Sequence, residues 1–295
     1  MSKKPIFIVD SYSDSQRLDN FLLKKCKQAS KSELYKLIRK GQVRINGKRC
    51  QPLTKLSVGD AVRVPPFLFF DQQPKTMVID PKVINQLQQC IIAENQDYLV
   101  INKPPGMAVH VGTGHNYGVI DVLKSIEKYH DIQLAHRLDA ATSGCLVLAR
   151  NKPALLHFQS QLKKRTVVKT YVAILQGVLA ADITVQQNLI SERVSGIKTA
   201  KISDLGKPAE TRFEVVEINS GYTQVRCYPI TGRTHQIRAH AAYLGCPIIG
   251  DIQYGAKPEL KLSRELFLHA LSVQFNGGDF SAPLPKPFET FMGNL

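Results

Sequence analysis

The sequence predicts an α+β protein in two parts. A small, basic α/β module stands at the N-terminus. A larger domain follows, built on a mixed, largely antiparallel sheet flanked by helices. Three observations predict this. The chain has 295 residues, a length that suggests about two domains. Its positive charge is gathered near one end. In its second half, strand-like runs follow one another without helices between them, which argues against a doubly wound parallel sheet.

The first module reads from local signals. Leu18, Phe21 and Leu22 form an i, i+3, i+4 stripe, so residues near 17 to 27 are expected to be an amphipathic helix. Ser30 to Glu33 has the pattern of a capping box, Leu34, Leu37 and Ile38 give a second stripe, and Gly41 is a natural stop. Val43 to Ile45 reads as a short strand, Asn46-Gly47 as a tight turn, and Ala61 to Val64 as a second strand after Gly59-Asp60. Between Arg17 and Arg63 stand thirteen Lys and Arg against Asp19, Glu33 and Asp60, or +10 of the whole chain's +15. Two helices followed by a basic ribbon resemble the S4 RNA-binding domain. Lys31, Lys36, Arg39, Lys40 and Arg44 are the side chains expected to meet RNA phosphates.

Pro65-Pro66 closes this module, so the expected domain covers residues 1–66. Residues 67–89 read as a linker, with Pro74, Pro81 and no clear period, though Phe67 to Phe70 are apolar enough to dock on a neighbouring domain. The larger domain is expected over residues 90–295. Tyr98 to Asn102 reads as a strand running into the rigid turn Lys103-Pro104-Pro105-Gly106. Val119 to Tyr129 and Pro153 to Lys164 read as helices, the second with Pro in its first turn. Cys145 to Ala149 reads as a buried strand; Tyr171 to Leu175, Thr211 to Ile218 and Thr223 to Ile230 read as further strands, and His235 to Leu244 as a helix. The polar stretch from Ser191 to Lys207 reads equally as a mobile basic loop that grips RNA or as a solvated insertion.

Composition narrows the function. A net charge of +15 and a pI near 9.6 point to a polyanionic partner. No apolar run approaches a membrane span, and the first residues lack the apolar core of a secretory signal. Six scattered cysteines, none in a CxxC pair, are expected to be reduced in the cytoplasm. The eight histidines show no ligand spacing, so no metal is expected.

The chemistry concentrates in residues 136 to 144, HRLDAATSG, where Arg137 and Asp139 stand on a loop that feeds the strand 145–149. A carboxylate there can act as a nucleophile. Burial alone would raise its pKa, so it needs a cation, and TGRTHQIRAH offers Arg233 or Arg238. Tyr171, in KTYVAIL, offers a ring for stacking and a hydroxyl. His136 and His235 read as structural hydrogen-bonders. The string 136–144 resembles the HRLDxxTSG motif of the RluA-type pseudouridine synthases. NKPPG at 102–106, the K-x-Y-x-A pattern around Tyr171, and TGRTHQIRAH at 231–240 resemble further motifs of the same family.

The resemblance implies the pseudouridine synthase fold and the conversion of uridine to pseudouridine in RNA. It implies Asp139 as nucleophile, with Tyr171 and Arg238 as its catalytic companions, Arg238 pairing with Asp139. Arg137 is implied to hold the flipped nucleotide, with Lys103 and Arg233 as further RNA contacts. No step needs a redox carrier or activating metal, so no cofactor is expected. IRKGQVRINGKRCQP and KLSVGDAVRVPP, in the basic module, resemble a branch of this family that acts on large-subunit ribosomal RNA, as RNA or as an assembling particle. A monomer is expected. A silent RNA-binding factor would be expected to have lost Asp139, Tyr171 or Arg238, and all three are present.

Overall fold

The structure, a computed structural model, describes residues 5–26, 29–69, 79–111, 117–194, 197–257 and 265–293. The chain divides into two units, residues 1–78 and 79–295.

In the first unit, β1 (Ile6–Ile8), α1 (Leu18–Lys25), α2 (Lys31–Arg39), β2 (Arg44–Ile45) and β3 (Ala61–Arg63) follow in order. The antiparallel sheet runs β1-β3-β2. Ser30 caps α2 by accepting a hydrogen bond from the Glu33 N–H at 3.2 Å. Asn46 and Gly47 both have positive φ, 50° and 79°, as a tight hairpin turn of the I′ kind requires. The Asn46 side chain then clips the turn to β3, donating to Asp60 and accepting from the Ala61 N–H. The apolar stripes meet in one core of Phe21, Leu22, Leu34, Ile38, Val62 and their neighbours. Buried Asp19 ties the helices together: it accepts from Arg17 and from the Tyr35 hydroxyl at 2.7 Å, and these bonds hold its carboxyl down at about 2.

Three features differ from expectation here. Strand β1 was not expected; only Phe7 of its three residues is buried, too little for a periodic signal. The stretch expected to be a linker contains α3 (Pro66–Phe69) and α4 (Pro81–Gln89). Leu68 belongs to the first unit's core while Phe67 is exposed; Phe70 and the side chain of Phe69 lie outside the described residues.

The second unit carries β4 (Ile91–Glu94), β5 (Tyr98–Lys103), α5 (Val119–Lys124), β6 (Gln133–Leu134), β7 (Ser143–Ala149), α6 (Lys152–Lys164) and β8 (Val168–Gln176). It continues with β9 (Ile183–Gln186), β10 (Leu189–Val194), β11 (Ile197–Ile202), β12 (Glu210–Asn219), β13 (Tyr222–Pro229), α7 (Gln236–Tyr243), β14 (Leu268–Phe275), β15 (Gly278–Ser281) and α8 (Lys286–Gly293). The main sheet runs β4-β5-β7-β14-β8-β13-β12-β9, with β6 on β7 and β15 on β14. Among the described residues only the β7–β14 pair is parallel, so the sheet is mixed and largely antiparallel, as the sequence predicts.

Period-two alternation decides which face each central side chain serves. Leu99, Ile101, Leu146 and Leu148 pack with Val119, Val122 and Leu123 of α5. Tyr98, Val100, Cys145 and Val147 pack with Phe158 of α6. Burial on both faces explains the unbroken apolar run of β7. Gly144 is required at its start: φ is +110°, and a Cβ there would stand 2.2 Å from the Ala270 carbonyl oxygen of β14. Residues 191–207, read as a loop or insertion, are instead largely a two-stranded antiparallel ribbon of β10 and β11. The helix expected over 119–129 stops at Lys124 and resumes as a single 3-10 turn over Glu127–Tyr129.

Candidate active site

Three separated segments supply the charged and polar side chains of one cleft of about 290 Å³, with Leu162 and Leu268 adding to its wall. The loop between β6 and β7 supplies His136, Arg137 and Asp139. Strand β8 supplies Lys169 and Tyr171. The turn after β13 and the first turns of α7 supply Arg233, His235 and Arg238.

The loop is held from below. The neutral His136 ring stacks on Phe158, with centroids 5.7 Å apart, and its Nε2 accepts from the Val147 N–H at 3.1 Å. Burial pushes its pKa down to about 3, so the ring acts as a neutral acceptor. At the far end, Ser143 Oγ hydrogen-bonds His269 Nδ1 at 2.9 Å, and burial holds His269 near 4.

Lys103 corrects a sequence expectation. It was read as an RNA contact, yet its side chain is fully buried and does not line the cleft. Its Nζ donates to the carbonyls of Pro104 (2.8 Å), Met107 (2.8 Å) and Ala140 (3.0 Å). It therefore fastens the loop at the residue after Asp139. Burial pulls the ammonium down to about 7, against the opposing pull of Asp139.

The Asp139 side chain is about one quarter exposed. Arg238 does not hydrogen-bond it, which departs from the pairing implied by resemblance. The Arg238 guanidinium instead forks onto Asp251, Nε to Oδ2 and Nη2 to Oδ1, both 2.7 Å. It also donates to Gln253 at 2.9 Å and lies 4.7 Å over the Tyr254 ring. Both members of the Arg238–Asp251 pair are buried. Arg238 still feels Asp139, whose charge is among the causes that raise its pKa. His235 stands nearer, with Nε2 3.9 Å from Asp139 Oδ2 and Nδ1 3.0 Å from the Tyr254 hydroxyl. That hydroxyl accepts from the Ala200 N–H of β11 at 2.8 Å, which joins the ribbon to the cleft.

Burial, reinforced by Asp139, pushes the Tyr171 hydroxyl well above its ordinary range. It stays protonated at neutral pH and offers an O–H and an aromatic face rather than a base. Arg137 is exposed at the mouth of the cleft, and Arg233 donates from Nε to the Pro208 carbonyl at 3.0 Å.

In the first unit Lys31, Lys36, Arg39 and Lys40 are exposed on and beside α2. Arg44 is half-buried and donates to the carbonyls of Gly41 and Gly47. Sequence reasoning missed Asp251, Tyr254 and Lys169. The signal for Asp251 was a lone carboxylate closing the apolar run Cys246 to Gly250, where a buried acid needs a cation.

Comparison with known proteins gives the family. The RNA pseudouridylate synthase family model matches residues 97–243, and the S4 domain model matches residues 16–62. The chain is 40% identical to ribosomal large subunit pseudouridine synthase C of Haemophilus influenzae, over 93% of this chain and 88% of that one. It is 39% identical to the protein of the same name from Vibrio vulnificus, over 100% and 97%. Among solved structures, human RNA pseudouridylate synthase domain containing 4 superposes with a TM-score of 0.62 at 25% identity, over 72% of this chain and 95% of that one. With the fold and these relatives in agreement, the chain belongs to the RNA pseudouridylate synthase family.

Proposed function

We propose that this chain converts specific uridines to pseudouridine in large-subunit ribosomal RNA, with Asp139 as nucleophile. The observation that carries the reading is that Asp139, Tyr171 and Arg238, from three distant segments, line one cleft. The relatives named ribosomal large subunit pseudouridine synthase C support the choice of RNA. The reaction is an isomerisation: the C1′–N1 bond breaks, the base turns, C1′–C5 forms, the C5 proton leaves and N1 gains one.

Each residue has a part in that sequence. The ring of Tyr171 stacks on the extruded base. Arg238, locked by Asp251, holds a fixed positive field beside the carboxylate, and Lys103 fixes the loop that carries it. Arg137 and Arg233, at the cleft, contact RNA around the flipped nucleotide. The first unit anchors the RNA through Lys31, Lys36, Arg39 and Lys40. The enzyme works in the cytoplasm as a monomer; no helix among the described residues is long and apolar enough to cross a membrane.

The test is a map of pseudouridines in ribosomal RNA from cells lacking the protein. Specific large-subunit sites should lose the modification and regain it with the wild-type chain. The Asp139→Asn variant should restore none, with activity down by at least about 10⁴-fold as for loss of a nucleophile. Its RNA affinity should persist. An unchanged map, or turnover by the Asn variant once deamidation is excluded, would overturn the reading.

A further inference from the structure

Exposed Arg137 apart, the other cations around the cleft are committed to protein acceptors. Arg238 has Asp251 and Gln253, Lys103 has three carbonyls, and Arg233 has the Pro208 carbonyl. Lys169 differs. It lines the cleft from β8, yet among the described residues its ammonium has neither a hydrogen-bond acceptor nor a carboxylate. Asp139 lines the same cleft but makes no ion pair with it. A Cβ added at Gly232 would stand 4.0 Å from Lys169 Nζ, so a bare backbone turn lies beside the ammonium. The other near ring, His136, is neutral. Burial lowers the Lys169 pKa, with no carboxylate among the causes to oppose it.

The ammonium is half-buried on the wall of an open cleft, so it is partly stripped of water yet still within reach of a ligand that enters there. Strand geometry narrows the choice of ligand. Lys169 and Tyr171 are two residues apart on β8, so both face the same side, with Cα atoms about 7 Å apart. That separation suits a base against Tyr171 and the phosphate of the same nucleotide, or of the next one, against Lys169.

We propose that Lys169 is a binding residue for a phosphodiester flanking the target uridine, so that the RNA itself supplies the missing counter-charge. This rests on the reading of the chain as an RNA uridine isomerase. It adds a substrate contact that fixes where the flipped nucleotide sits, and it assigns Lys169 no part in moving protons.

The test is a cycle between protein and RNA, using the full chain and a ribosomal RNA fragment that the wild-type enzyme modifies. Fragments carry a neutral methylphosphonate on the 5′ or the 3′ side of the target uridine. Half-saturation and rate are read in single turnovers. One of the two neutral linkages should weaken wild-type half-saturation roughly ten- to hundred-fold, the worth of a charge-assisted hydrogen bond. Lys169→Met should weaken binding of the natural fragment to a similar degree and be nearly indifferent to that same linkage. Lys169→Arg, which keeps a cation, should recover most of the loss.

Two outcomes overturn the proposal. One is a wild-type enzyme insensitive to both neutral linkages, a result that needs no variant to fold. The other is a Lys169→Met loss that adds fully to the linkage effect and persists in Lys169→Arg. Failure of the underlying reading looks different, because the wild-type chain would then form no pseudouridine in the natural fragment.

Discussion

The two units hold their positive charge in opposite ways. On α2 of the first unit Lys31, Lys36 and Arg39 stand in solvent, where water and salt compete for them. Around the cleft of the second unit Arg238 and Lys103 are buried, and each spends its donors on chosen protein oxygens. Exposed cations of the first kind supply affinity that depends on ionic strength and tolerates small shifts. Buried cations of the second kind supply little affinity and fix geometry, so they should tolerate almost no change of shape. Substitutions in the two units should therefore separate rate from binding.

Among the cations, the largest effect is expected at Arg238. An ammonium keeps the charge but cannot copy the planar fork onto Asp251. Arg238→Lys should lower the single-turnover rate on the order of 10²-fold, the scale of a misplaced catalytic group. RNA affinity should stay within a few-fold. Asp251→Ala should do more to the fold, since removing one partner of a buried pair costs about 3–5 kcal/mol. Denaturant unfolding of both single variants and the double variant should be clearly non-additive. A near-normal rate in Arg238→Lys would return the role beside Asp139 to Arg233.

Next in size is Lys103, which should show itself through pH. Its folded pKa, near 7, lies below the ordinary lysine value of 10.5. Below pH 7 the ammonium is charged in the folded and the unfolded chain, and the burial penalty is present in full. Between pH 7 and 10.5 the folded chain releases the proton first, so stability from this group rises with pH. The slope cannot exceed about 1.4 kcal/mol per pH unit for one proton. Lys103→Met should remove that rise, so the wild type gains on the variant as pH increases. Parallel stability curves for the two proteins between pH 6 and 10 would mean that the three carbonyls keep Lys103 charged throughout.

How much of this was legible depended on distance along the chain. Caps, stripes and turns are local, so α2, α6 and the Asn46-Gly47 hairpin follow from a few neighbouring residues. The signals for α4 were equally local, Asp80 as cap, Pro81 in the first turn, and Val83, Ile84 and Leu87 as a stripe, yet nearby Pro and Gln obscured them. The residues lining the cleft could be named because they stand in recognisable strings. Their partners could not. Nothing in TGRTHQIRAH says that Arg238 meets an acid thirteen residues on rather than Asp139, since that depends on how the chain returns after α7. Lys103 misled for the same reason: a lysine beside two prolines reads as surface, and its ammonium is enclosed only once the carbonyls of Pro104, Met107 and the distant Ala140 come together around it. The ribbon of β10 and β11 was hidden because two polar strands outside the main sheet lack the apolar alternation that marks a half-buried strand.

The smallest expected effects belong to the first unit, and they sharpen the contrast because they should touch binding alone. Lys36 and Lys40, with Ser32 and Gln42, border a shallow depression beside α2, and Arg39 is exposed on the same helix. If these cations neutralise RNA phosphates, each Gln substitution should flatten the log–log salt dependence of binding by about 0.7 on single-stranded RNA and up to about 0.9 on duplex. The rate at saturating RNA should not move, because the cleft lies in the other unit. Arg44 is the internal control. Its guanidinium is already bonded to the carbonyls of Gly41 and Gly47, so Arg44→Gln should loosen that turn and lower the unfolding midpoint while leaving the salt slope nearly intact. A salt slope that ignores Lys36, Arg39 and Lys40 but falls with Arg44 would invert the assignment: the hairpin, not α2, would then be the face of the S4 unit that meets RNA.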